Sequence, residues 1–223
     1  MTTTDDASVA ARGLCRRYGR RWALSHVNLD LPQGSGVVVT GGNGSGKSTL
    51  LRCLATALRP HAGTLTMGGK PMWTHRERFR PHIGYMAHQN HLWMDLSAQE
   101  NLLAWAGLSG QTIDTASLLE QVGLSAGRRD PVRTFSAGMK RRLAVARMLI
   151  RPPRLLLLDE PFSGLDAAGR ADVAQLFASL RAGGTTLVVA THLPQAVTSM
   201  VDRCVTLEEG RVTSDAVFSG AQG

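Results

Sequence analysis

Apolar residues along the chain fall into two patterns. Short unbroken runs, "GVVVT" at 36–40, "RLLLLDEP" at 154–161 and "TTLVVATH" at 185–192, show no alternation, as expected of strands covered on both faces in a parallel sheet. The first run passes through glycines into "GKSTLLRCLATAL" at 46–58, where the leucines take up helical spacing. This is a strand, a tight turn and a helix. Between that unit and the later strands the pattern changes. "SAQENLLAWAGL", "TASLLEQVGL" and "SAGMKRRLAVARMLI" all read as helices, and Ser97 with Glu100 three positions on predicts a capping box opening the first of them. The expected organisation is one domain over 1–223: an α/β core from 1–85 and 151–223, with 86–150 inserted as a helical subdomain.

Composition narrows the class. With 43% hydrophobic and 19% charged residues in 223, the chain reads as a folded globular protein. No apolar run approaches the roughly 18 to 20 residues that span a bilayer. The opening "MTTTDDASVA" has neither the basic nor the apolar region of an export signal, so a cytoplasmic location is expected. Three cysteines, far apart and outside any CxxC spacing, predict reduced thiols. The net charge of +8, mostly arginine, points to an anionic partner: nucleic acid, an anionic membrane surface or nucleotide phosphates. Its clusters are dispersed and carry little aromatic interleaving, so nucleic acid is not expected.

The chemistry begins at residues 41–48, "GGNGSGKS", which fit the phosphate-binding loop G-x-x-x-x-G-K-[ST] in its required context of strand before and helix after. Glycines let the backbone curl so that successive N–H groups face one anion, and the helix N-terminus adds its dipole. Lys47 is expected to reach the β- and γ-phosphates, and the Ser48 hydroxyl to bind Mg²⁺. Downstream, four leucines run straight into Asp159 and Glu160. Burying two carboxylates costs several kcal/mol unless something cationic or hydrogen-bonding meets them. At the carboxyl end of a parallel strand, Mg²⁺ supplies that charge: Asp159 holds the ion and Glu160 is the base that activates water against the γ-phosphate.

Several further motifs follow in order, and with them nearly the whole chain resembles the ATP-binding cassette ATPases of membrane transporters. "FSAGM" at 135–139 is similar to that family's signature, with Ser136 capping a helix whose free N–H groups suit another anion. "SGLD" at 163–166 is similar to the D-loop, and Asp166 also suits a helix cap. "ATHLP" puts His192 at the place of the switch histidine, and Tyr18 stands where an aromatic stacks on adenine. The resemblance implies a P-loop NTPase core with a mainly parallel sheet, N-terminal antiparallel β strands and an inserted helical subdomain. It implies an Mg²⁺-dependent ATPase in which Glu160, His192 and Lys47 are catalytic. ATP would be held by Tyr18, Gly41, Gly42, Asn43, Gly44, Ser45, Gly46, Lys47, Ser48 and Thr49. In a dimer of such ATPase subunits, homo- or heteromeric, Ser136, Ala137, Gly138 and Asp166 of one copy would serve the nucleotide of the other.

The chain departs from the family in three places. His88 stands where the Q-loop glutamine belongs and Gln89 comes one residue late, so the metal ligands implied are Ser48, Asp159 and either His88 or Gln89. Ala137 and Met139 replace the signature's usual glycine and glutamine. The histidine, the short length and "SAGMKRR" together look like the ATPase subunit of the haem exporter used in cytochrome c maturation. The implied partner is an integral membrane permease, with the ATPase peripheral on the inner face of the cell membrane. The contact is expected around Leu92, Trp93, Met94 and Trp105. A DNA-repair ATPase of the superfamily would carry a long coiled coil, a translation factor two cassettes, and a nucleotide-binding regulator would not need Glu160.

Overall fold

A computed structural model describes residues 6–87, 91–125 and 129–218. Among the described residues ten strands run in chain order: β1 (Val9–Tyr18), β2 (Arg21–Leu31), β3 (Gly36–Thr40), β4 (Ala62–Met67), β5 (Lys70–Pro71), β6 (Ile83–Met86), β7 (Leu155–Asp159), β8 (Thr186–Ala190), β9 (Arg203–Glu208) and β10 (Arg211–Val217). The α-helices among the described residues are α1 (Lys47–Leu54), α2 (Arg76–Phe79), α3 (Ala98–Ser109), α4 (Thr115–Gln121), α5 (Ala137–Leu149) and α6 (Ala167–Ala182).

The unbroken apolar runs become the centre of a six-stranded sheet ordered β10-β9-β3-β8-β7-β6, parallel throughout except for β10. Every residue of β7 is buried, and alternate leucines serve opposite faces. Leu156 and Leu158 join one core cluster with Leu102, Leu119 and Leu143, while Leu155 and Leu157 join another with Leu50, Leu51 and Leu54 of α1. Each buried leucine contributes about 2 kcal/mol, enough to hold a strand whose end carries two carboxylates. The N-terminal strands form a separate antiparallel sheet, β2-β1-β4-β5. In β2, Val27, Leu29 and Leu31 point inward and Asn28 and Asp30 outward, the period-two pattern of a half-buried strand.

The capping box expected at Ser97 is present. Its hydroxyl accepts from the Glu100 backbone N–H, and the Ser97 N–H donates to the Glu100 carboxylate at 2.8 Å. The helical stretch begins later than the boundary at residue 86, because Met86 closes β6 and pairs with Leu158. The apolar sides of α3, α4 and α5 share one continuous cluster with Val38, Leu156, Leu158 and Val189 of the sheet.

Candidate functional site

The turn between β3 and α1 is shaped by close approaches that only glycine allows. Gly46 has φ 113°, and a Cβ there would lie 2.3 Å from the Ala23 carbonyl oxygen. At Gly41, φ 137°, it would lie 2.1 Å from the Leu207 oxygen. Gly46 is also the cap residue of α1 and offers no side chain, so first-turn N–H groups stay open to an anion. Beside them the Ser45 hydroxyl oxygen is buried without a hydrogen-bond partner. Lys47 folds over the loop, its Nζ donating to the Gly41 and Gly42 carbonyls at 2.7 and 3.1 Å.

Asp159 ends β7 and Ser48 lies in the first turn of α1; the two meet at 3.0 Å, the Ser48 hydroxyl donating to Asp159 Oδ1. A hydroxyl and a carboxylate oxygen converging at one point are the hard donors that Mg²⁺ prefers, so these residues fit that ion. Tyr85, opposite Leu157 on the neighbouring strand, stands beside the same carboxylate. Burial first, and the Asp159 charge second, push its phenol up to about 12.

Glu160 adopts φ 49°, a left-handed conformation uncommon for residues other than glycine, and its N–H donates to the Ala190 carbonyl at 2.9 Å. Strain of this kind is of order 1–3 kcal/mol and concentrates at functional sites. Here it turns the carboxylate toward the end of β8. Glu160 Oε2 lies 2.9 Å from His192 Nδ1 and accepts from the Thr191 hydroxyl at 3.2 Å.

These groups border a cleft of about 460 Å³. The loop from Asn43 to Thr49 forms its floor, Asp159 and Glu160 one end, and Tyr18 and Arg21 a wall. Tyr18 is half exposed with the Arg16 guanidinium 5.4 Å from its ring centroid, and Arg21 donates to the Gly44 carbonyl at 3.4 Å. Gly41 and Gly42 lie beneath as acceptors of Lys47, and His192 reaches the site through Glu160. Ser136, Ala137, Gly138 and Asp166 do not line the cleft. Ser136 caps α5, accepting from the Met139 N–H at 3.2 Å, and Asp166 caps α6, accepting from Gly169 at 2.8 Å. His88 and Gln89 lie outside the described residues. Sequence reasoning missed Arg21, Thr191 and Tyr85. Arg21 carried a weak signal inside "RRYGRR".

A second hollow, about 810 Å³, opens beside β6. Leu92, Trp93 and Trp105 line it, with the two indole rings 5.1 Å apart and the Arg147 guanidinium 4.7 Å from the Trp105 ring; Met94 is exposed outside it. Arg80, Arg147 and Arg151 add positive charge, and no carboxylate lines the groove among the described residues.

Comparison with known proteins matches residues 24–163 to a family model described as ABC transporter. The cytochrome c biogenesis ATP-binding export protein CcmA of Nitrosococcus oceani is 39% identical over 194 residues, covering 86% of this chain and 90% of that protein. The lantibiotic transport ATP-binding protein SrtF of Streptococcus pyogenes is 32% identical over 212 residues, covering 95% and 91%. Among solved structures, a dimeric post-hydrolysis state of the ATP-binding cassette MJ0796, bound to ADP and Pi, superposes with a TM-score of 0.80 at 25% identity. It covers 94% of this chain and 98% of that one.

Proposed function

The chain belongs to the ABC transporter family, and on that premise we propose that it binds ATP in the cleft beside Tyr18, hydrolyses it with Glu160 as base, and powers a separate integral membrane permease. The observation that carries this reading is the convergence of the Ser48–Asp159 pair and the Glu160–His192 pair at the end of one glycine loop. Tyr18 receives the adenine face, and the N–H groups of the loop receive the triphosphate. Lys47 has donors to give the β- and γ-phosphates once it leaves its two carbonyl acceptors. Ser48 and Asp159 hold Mg²⁺, which when bound neutralises charge on the phosphate oxygens. Glu160 takes the proton of the attacking water, and His192 fixes the carboxylate from behind through Nδ1.

Ser136, Ala137, Gly138 and Asp166 of one copy complete the nucleotide site of another, so the working unit is a dimer. Their absence from the cleft of their own chain supports this. The groove with Trp93 and Trp105 receives the permease, placing the chain on the inner face of the cell membrane. Within the family we favour export serving cytochrome c biogenesis, supported by the likeness to CcmA; the likeness to SrtF keeps lantibiotic transport as the rival.

Turnover by the purified chain tests the catalytic assignment. Glu160→Gln is expected to bind ATP within about twofold of the parent while losing at least about 100-fold in turnover, the lower end of a general base's contribution. Full turnover in that variant overturns the role of Glu160.

A further inference from the structure

We propose that the end of β1, the β1–β2 turn and the connection after α1 form a basic surface that docks on the anionic headgroups of the bilayer holding the permease. Its first basis is where the charge lies. Residues 1–85 hold 12 lysines and arginines against 4 aspartates and glutamates, so the whole net charge of +8 (12 − 4) falls there. Residues 86–223 hold 13 of each (25 − 12 and 17 − 4) and are neutral. Between residues 7 and 76 the only acid is Asp30, and Arg12 already holds it at 2.6 Å. Among the described residues no carboxylate is ion-paired with Arg16, Arg17, Arg20 or Arg59.

Hydrogen bonds gather these arginines across a long sequence gap. Arg16 donates to the Arg59 carbonyl at 3.0 Å, the Arg17 N–H to His61 Nδ1 at 3.4 Å, and the His61 N–H to the Cys15 carbonyl at 2.8 Å. Arg17, Arg20 and Arg59 are exposed. Arg17 pairs with Trp22 across the hairpin, its guanidinium 5.9 Å from the ring centroid, and the indole is still 47% exposed. An indole beside guanidinium groups suits the headgroup level of a bilayer, where arginine meets phosphate and the amphipathic ring meets the acyl boundary. Nucleic acid, the other polyanion, is held by stacking on open aromatic faces. Here Arg17 lies over the Trp22 ring, and Tyr18 belongs to the nucleotide cleft. The patch also adjoins the groove assigned to the permease. The groove residue Arg80 donates to the Thr56 hydroxyl and carbonyl at 3.1 and 2.9 Å, three residues before Arg59. A permease in that groove brings its bilayer to this part of the molecule, and the choice of partner rests to that extent on the function proposed above.

The test sediments the full chain with vesicles of phosphatidylcholine, alone or with phosphatidylglycerol added, and measures ATP turnover on the same samples. The parent is expected to bind only the anionic vesicles and to be released as KCl is raised from about 0.1 to about 1 M. Its indole emission is expected to shift to the blue on binding, a shift that Trp22→Phe removes. Each arginine near an anionic surface raises binding about fivefold. The triple variant Arg17→Gln, Arg20→Gln, Arg59→Gln is therefore expected to lose about 100-fold in vesicle affinity while keeping its melting temperature and turnover. A charge-matched triple variant, Arg129→Gln, Arg133→Gln, Arg211→Gln, is expected to stay within about threefold of the parent, because it leaves the patch intact. Equal losses in the two variants, equal binding to neutral vesicles, or an emission that ignores the vesicles or shifts equally in Trp22→Phe overturns the inference. Tighter binding to a single-stranded oligonucleotide than to anionic vesicles, at equal phosphate, overturns it in favour of nucleic acid. All of these leave the ATPase reading standing, whereas a parent that binds anionic vesicles as expected without turning over ATP overturns that reading alone.

Discussion

At Gly46 the backbone turns with φ 113° directly beneath the Ala23 carbonyl, and nothing larger than a hydrogen fits. Gly46→Ala would force the loop away from β2, misaligning the N–H groups on which the phosphates rest. We expect ATP affinity to fall at least tenfold by calorimetry and stability to drop by about 1–3 kcal/mol, the usual cost of Cβ at a left-handed glycine under close contact. Parent-like binding would show that the loop yields. At this scale the site was largely legible in advance. Lys47, Ser48, Asp159 and Glu160 sit in short stretches whose chemistry is local, and Ser97, Ser136 and Asp166 each precede a helical pattern that needs a cap. The approach of Tyr85 to Asp159 was not legible, because the two lie 74 positions apart (159 − 85) and come together only through the pairing of two parallel strands. The left-handed turn of Glu160 was equally hidden, since no residue type announces it.

Among the elements, the strands covered on both faces declared themselves by their unbroken apolar runs, and β3, β7 and β8 form where those runs lie. The long antiparallel pair β1 and β2 was less visible in the residues themselves. Three register shifts along that pair break the alternation that would mark it. The limits of the helical stretch were blurred for a related reason: Met86 is as apolar as a helix residue, and only its pairing with Leu158 assigns it to β6. The segment following that strand carries the permease prediction. Trp93 and Met94 are each about two-fifths exposed at 38% and 41%, and Trp105 backs Trp93 with a tilted ring. An apolar floor rimmed by Arg80, Arg147 and Arg151 suits a helix with an apolar face and a carboxylate. Trp93→Asp puts a charge on that floor and should abolish co-isolation of the permease from detergent-solubilised membranes while leaving ATP binding intact. Undiminished co-isolation would move the contact elsewhere.

For the molecule as a whole, the net charge of +8 is the general attraction and the two hollows are where it acts specifically. One hollow is built for phosphates: glycine turn, lysine, and carboxylates that need a cation. The other is apolar with a basic rim. In the single chain the Ser136 cap and the first turn of α5 do not border the cleft. On the proposed function, a second copy supplying that cap would convert ATP binding into closure of a dimer, and hydrolysis at Glu160 into its release. Two triphosphates shared between two copies is the claim on which the transport cycle depends. Sedimentation of Glu160→Gln with saturating ATP and Mg²⁺, against the same protein with ADP, reads it directly: we predict a dimer with ATP and a monomer with ADP, and a monomer at every concentration with ATP would contradict it.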